Sequence, residues 1–271
     1  MRGTSSTSFA EVLRQLQAAP AADGAALETE AQELFSVADA IDSSNQLVRT
    51  LSDPGRPAEV KESAVRALLE NRVSPRALEA TLEIVRRRWS EQEDILDALE
   101  LLGVTSLLDL ALREGALEQV ETELFEVSQL IDGDGGLTTA LDGARDDPSR
   151  RALLLRTLLE GRTHRLTAVL AARAVGRRTE TKPARRVEEI ARFASDRRRR
   201  AFAEVYSAVP LSDAQQSRLG AVLAGVYGRE VQLNLQVDPD VVGGLRIQVG
   251  DDLYDATVLA RLSRARSQLV A

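Results

Sequence analysis

Few residues in this chain could carry a reaction, and none stands in a pattern that catalysis needs. Histidine occurs once, at His164, with no carboxylate at a fixed spacing to orient it. A general base or metal ligand needs such a partner, so an ordinary surface or loop residue is the expected reading. The acid pairs Asp146-Asp147 and Asp251-Asp252 sit where turn residues cluster, and Asp is favoured there because it hydrogen-bonds its own backbone. Gly243-Gly244 is followed by a strand pattern, with no Gly-x-Gly-x-x-Gly and no Gly-Lys-Thr, so it is not a phosphate loop. Its expected role is backbone geometry: turning the chain, or letting a neighbouring helix approach closely. The absence of cysteine excludes thiol catalysis, disulfides and Cys-ligated zinc. No catalytic residue, no cofactor and no metal is therefore expected.

Charge points the same way. The net charge of −7 argues against nucleic acid, whose binding needs a basic footprint. One stretch is basic: Arg173, Arg177, Arg178, Lys182, Arg185, Arg186, Arg192 and Arg197 through Arg200. Glu180, Glu188, Glu189 and Asp196 interrupt it, and only Phe193 could offer a stacking ring, so a solvated face or one meeting an acidic partner is favoured over nucleic acid or anionic lipid. Trp89, after Arg86-Arg87-Arg88, reads as a buried helix-end aromatic ahead of an interface anchor. No run of 18 apolar residues exists, and the start Met1-Arg2-Gly3-Thr4-Ser5 lacks the apolar core of a signal peptide, so neither a membrane span nor an export signal is expected.

The elements behind these residues are mostly helical. Apolar positions recur at helical spacing through Phe9–Leu16, Leu27–Ile41, Val60–Leu68, Leu78–Val85 and Ile95–Leu107. Ser74-Pro75 reads as a helix start, a capping hydroxyl before a proline suited to the first turn. The pattern then repeats about 90 residues on: Glu33-Leu34-Phe35 returns as Glu123-Leu124-Phe125, Ile41-Asp42 as Ile131-Asp132, and Leu68-Leu69-Glu70 as Leu158-Leu159-Glu160. So long a period is a whole bundle rather than a solenoid repeat.

Past residue 195 the period changes. Ala203, Val205 and Ser207 alternate as one face of a strand, and Ser212 with Gln215 forms a capping box for a helix bearing Leu219, Val222, Leu223 and Val226. Val231, Leu233, Leu235 and Val237 alternate with polar residues, as do Leu245, Ile247 and Val249, with Gly250-Asp251-Asp252 as a turn before a last helix carrying Val258, Leu259, Leu262 and Leu269. The series Asp238-Pro239, Gly243-Gly244-Leu245, Val249-Gly250 and the closing Asp255 is similar to the C-terminal signature of the delta subunit of F-type ATP synthases, whose mitochondrial relative is the oligomycin-sensitivity-conferring protein. One departure is that the family usually shows Asp-Gly-Ser where this chain has Asp255-Ala256-Thr257.

The expected fold is mainly α with a small C-terminal α+β unit: two tandem helical bundles, then a two- to four-stranded sheet covered by helices. The expected divisions are a first bundle at 1–103, a second, family-like bundle at 104–195 and an α+β domain at 196–271. The resemblance implies a non-catalytic stator subunit of a proton-translocating synthase. It would link the N-terminal helices of the alpha subunits to the membrane-anchored b subunit, at the cytoplasmic face of the cell membrane and in single copy. The motif residues Asp238, Pro239, Gly243, Gly244, Gly250 and Asp255 would then be structural. Two other readings stay open: a helical adaptor outside the synthase, and a regulator lending an arginine finger from the basic stretch to a nucleotide hydrolase.

Overall fold

A computed structural model of the chain describes residues 3–17, 23–142, 147–177, 179, 181–227, 231–238, 241, 243–249 and 252–257. Eleven helices come first: α1 (Thr4–Gln17), α2 (Gly24–Asp42), α3 (Asn45–Ser52), α4 (Ala58–Leu69), α5 (Pro75–Arg86), α6 (Asp94–Arg113), α7 (Leu117–Gly133), α8 (Gly135–Asp142), α9 (Pro148–Leu159), α10 (Arg165–Val175) and α11 (Pro183–Ala201). Then follow β1 (Phe202–Ser207), α12 (Asp213–Tyr227), β2 (Gln232–Val237), β3 (Leu245–Val249) and β4 (Asp252–Asp255). The chain forms two compact units, Met1–Arg192 and Phe193–Ala271.

The centre of the first unit is α6. Fifteen of its 20 residues are buried, among them Ile95, Leu99, Leu107, Leu108 and Ala111, which lie all around the helix. A helix apolar on every side must be enclosed by others, and α1, α2, α3, α5, α7 and α10 all pack on it. Its ends suit the helix dipole, with Asp94 and Asp97 in the first turn and Arg113 in the last. Gly115, at φ 70°, stops it in the left-handed conformation that favours glycine. Because α6 runs unbroken through residue 103, the expected division at 103/104 separates no two bodies. It falls inside a helix that both copies share. The second expected division, at 195/196, lies near the boundary after Arg192.

The repeat read from the sequence reappears in the helices. α3, α4 and α5 begin at 45, 58 and 75, and α8, α9 and α10 begin at 135, 148 and 165, each one 90-residue period later. Small backbone details follow the same offset. Asn71 (φ 63°) and Gly161 (φ 70°) both take left-handed conformations just before a helix start. In the first copy the Ser74 N–H donates to Glu33 Oε2 at 3.0 Å. In the second, the His164 N–H donates to Glu123 Oε2 at 2.8 Å. Each bond fastens the N-terminus of one helix to the middle of another.

In the second unit the strand order is β2-β1-β3-β4. β1 and β2 are parallel, joined by α12 as the crossover helix such a pair requires, and the other two pairings are antiparallel. Ala203, Val205 and Ser207 are buried on one face as expected, and Ala203 and Val205 form a core with Ile247, Val249 and Leu223. The expected stripe on α12 is narrower than its sequence implied. Leu219, Leu223 and Tyr227 pack toward the sheet, while Val222 and Val226 are 56% and 61% exposed. One four-stranded face accommodates a single i, i+4 row. The expected last helix lies outside the described residues.

Where α2 crosses α6, Gly103 is required by space. A Cβ there would lie 2.4 Å from Cε1 of Phe35, whose ring is itself packed into the unit. We expect Gly103→Ala to lower stability by about 1–3 kcal/mol through overpacking, read as a shift of the urea midpoint. The double variant with Phe35→Leu should recover part of that loss, and simple additivity of the two would contradict the close approach.

Candidate interaction surfaces

The structure gives the residues that could do chemistry structural work instead. His164 caps α10: its Nδ1 accepts the Leu166 N–H at 3.3 Å. Asp147 caps α9 by accepting the Ser149 N–H at 2.9 Å, while Asp146 lies outside the described residues. Asp252 pairs with Val249 as the first residue of β4, so the chain reverses between them where the sequence placed a turn, and its carboxylate accepts from the Tyr227 hydroxyl at 3.1 Å. Asp251 lies outside the described residues. Trp89 is buried, and its indole N–H donates to the Ile84 carbonyl at 2.9 Å. Among the described residues no group of acidic or histidine side chains could hold a metal ion, and no helix is long and apolar enough to cross a membrane.

The C-terminal motif residues shape backbone. Gly243 and Gly244 adopt φ of 67° and 84° as the chain enters β3. A Cβ on Gly244 would stand 2.4 Å from the Ala256 carbonyl oxygen, so the close approach is by the backbone that follows β4 and not by a helix. Asp238 receives Arg246 at 3.3 Å, and Arg246 also covers the Tyr206 ring at 4.5 Å. Asp255 accepts from both the N–H and the hydroxyl of Thr257, at 3.0 and 2.7 Å. Serine would offer that same pair of donors two residues after the aspartate, so the departure Asp255-Ala256-Thr257 keeps the local hydrogen-bond chemistry. Pro239 and Gly250 lie outside the described residues.

Apolar surface left uncovered is the feature that residue-by-residue reading missed. On α9 only the row Arg151, Leu155 and Leu159 is buried, which leaves Leu153, Leu154 and Leu158 exposed. On α7, Phe125 is 47% exposed, although its counterpart Phe35 in the first copy is 7% exposed. The signal was present: Leu153-Leu154-Leu155 followed by Leu158-Leu159 holds more leucine than one buried stripe can use.

The basic stretch divides. Arg185 and Arg192 are exposed and pair with Glu189 and Glu188 one turn away, as a solvated face would. Arg186 is buried, donates to the Arg177 carbonyl at 2.7 Å, and is pushed down to about 10 by burial and by Arg151. Arg197 is buried as well, which does not suit an arginine finger. Arg173 and Arg177 do meet acidic partners, but within the same chain. Arg173 donates to both oxygens of Asp39 at 2.8 Å, to Glu100, and to the Phe35 carbonyl, with its guanidinium 4.8 Å above the Phe35 ring. Arg177 reaches Asp97 at 2.9 Å. Burial alone would lower the Arg173 pKa, but Glu100 and Asp39 raise it above the usual arginine value.

Two predictions test this network. Arg173→Met strands the buried Glu100 carboxylate and should cost about 3 kcal/mol, the low end of the range because Arg177 lies 3.7 Å away. Adding Glu100→Met should restore most of the loss in urea unfolding, whereas a purely packing role for Arg173 would show no recovery. Glu123 gives a pH signature. Burial raises its pKa, but hydrogen bonds from Thr167, Gln119 and the His164 N–H outweigh this and hold it below the ordinary carboxylate value of 4.5. Its contribution is therefore complete above that value and is lost as pH falls through the lower folded one. Glu123→Gln should flatten the stability curve below pH ~4.5 and leave the slope at neutral pH unchanged.

The sequence model of the family described as ATP synthase delta (OSCP) subunit matches residues 104–269. ATP synthase subunit delta of Beutenbergia cavernae is 39% identical over 99% of both chains. The subunit from Kineococcus radiotolerans is 38% identical over 98% of this chain and 97% of its own, and that from Thermobifida fusca is 37% identical over 99% of both. The first copy, outside the family model, is thus covered by these full-length matches. The chain belongs to the ATP synthase delta (OSCP) subunit family.

Proposed function

We propose that this stalk subunit holds the N-terminal helices of the alpha subunits through its second bundle and meets the membrane-anchored b subunit through its C-terminal unit. It does so in single copy at the cytoplasmic face of the membrane. The observation that carries the reading is uncovered leucine on α9 and aromatic surface on α7, within the residues matched by the family model. Exposed apolar rows of this kind suit partner helices laid into grooves. The task is mechanical. The catalytic head must not turn with the rotor, or torque is dissipated before it changes the nucleotide sites. A brace that resists it needs interfaces well above about 1,200 Å² in total, and it needs no nucleophile.

The test is reconstitution of a synthase depleted of this chain. Wild-type protein should restore proton-coupled ATP synthesis. Leu154→Asp with Leu158→Asp should weaken rebinding by more than ~10-fold, and hydrolysis by the isolated head should stay unchanged. Rebinding of the double variant at wild-type strength would remove α9 from the interface. Native preparations in which the chain never accompanies alpha, beta or b subunits would favour an adaptor outside the synthase.

A further inference from the structure

Between the two copies lies a cleft of about 1200 Å³. Its walls are α2 and the start of α6 on one side, and α9 with α10 on the other. The volume is beyond the ~300–1,000 Å³ typical of small-molecule sites, and Phe35 is its one aromatic lining residue. It is better matched to a segment of polypeptide. Leu153 stands at the edge of the cleft, 64% exposed, and continues into the uncovered face of α9.

The electrostatics of the lining are one-sided. Six carboxylates and three guanidiniums line the cleft. Arg173 and Arg177 are already engaged by Asp39, Glu100 and Asp97 across the seam. Asp42 and Glu93, on the α2 and α6 wall, have no ion pair or side-chain hydrogen bond among the described residues, and Arg156 on the α9 wall has none either. An occupant therefore meets an acidic wall, an apolar floor that includes Phe35 and Leu96 with Leu153 at its edge, and opposite them Arg156 beside the helix-capping Asp147.

The wall formed by α2 and the start of α6 lies outside the residues matched by the family model, and the α9 and α10 wall lies inside them, so that model covers only one side of the cleft. The relatives aligned over nearly their whole length match across both walls.

We propose that this cleft seats one amphipathic helix from another subunit of the synthase. Its apolar face would lie on Leu153 and its lysine- or arginine-bearing edge along Asp42 and Glu93. The proposal rests on the stalk reading above and adds a second docking place, built by the first copy. Polar rim contacts of this kind set register and choice of partner, while the leucine supplies the buried anchor.

A photoreactive residue in place of Leu153, in the assembled synthase, tests it by mass spectrometry of the crosslinked peptide. The expected product is a peptide of another synthase subunit with basic residues flanking an apolar row. Asp42→Lys with Glu93→Lys should reduce its yield by roughly three- to tenfold. The same label at Val60, on the exposed face of α4, should not capture that peptide. No crosslink while the chain remains in the complex overturns the proposal, as does capture of an acidic segment or of a second copy of this chain, or a yield indifferent to the two charge reversals. Absence of the unlabelled chain from the purified synthase overturns the stalk reading instead.

Discussion

The N-terminal unit depends on one constraint: α6 is buried around most of its circumference, and its apolar residues cannot be left facing water. Each fully buried leucine or isoleucine on it contributes about 1.5–3 kcal/mol relative to exposure, so the helix must recruit neighbours in every direction. It draws α1, α2, α3 and α5 from the first copy and α7 and α10 from the second. In the repeat, α6 corresponds to α1 one period earlier and to α11 one period later. It therefore closes one bundle and opens the next. Two bundles sharing a helix cannot be separated without exposing half of it, which is why Met1–Arg192 is a single compact unit.

Apolar burial holds the copies together but says little about their register, because leucines on a smooth helix face can slide. The polar seam supplies the directional part. Arg173 carries a planar fork that must satisfy Asp39, Glu100 and the Phe35 carbonyl at once, and its guanidinium lies over the Phe35 ring. Beneath that ring, Gly103 removes the one Cβ that would hold α2 away from α6. A buried ion network of this type adds modestly to net stability, since desolvation offsets much of the attraction. What it contributes here is a single geometry, because a shift of either copy by one turn would leave a buried carboxylate without its partner.

Local chemistry was legible in the sequence and long-range pairing was not. Ser212 and Gln215 announced their reciprocal cap, and the structure has it: the Ser212 N–H donates to Gln215 Oε1 at 2.9 Å, and the Gln215 N–H to the Ser212 hydroxyl at 3.4 Å. Ser74-Pro75 marked the start of α5, and the alternation at Ala203, Val205 and Ser207 gave the buried face of β1. All of these rest on groups a few residues apart. The basic stretch was read as solvated or partner-facing because Asp39 lies 134 residues from Arg173 in the chain, and no periodicity connects them. The continuity of α6 was obscured for a related reason. A helical period shows which face is apolar, but a helix apolar on all faces shows no preferred face, and the repeat boundary then looks like a domain boundary.

These features bear on what a non-catalytic stalk subunit has to do. A brace under torque fails where local unfolding is cheap, and cheap unfolding occurs where few buried contacts join neighbouring segments. Joining two bundles by a flexible linker would place such a weak point in the middle of the chain. Sharing α6 avoids it, since load entering either copy passes into one continuous, enclosed helix. The structural use of the ionisable groups among the described residues suits the same demand. Reactive sites are built from strained backbone and unsatisfied polar groups, and each of those would soften a part whose function is to hold still. His164, Asp147 and Glu123 are therefore spent on capping helices and fastening one to another, because stiffness is what the sequence must specify.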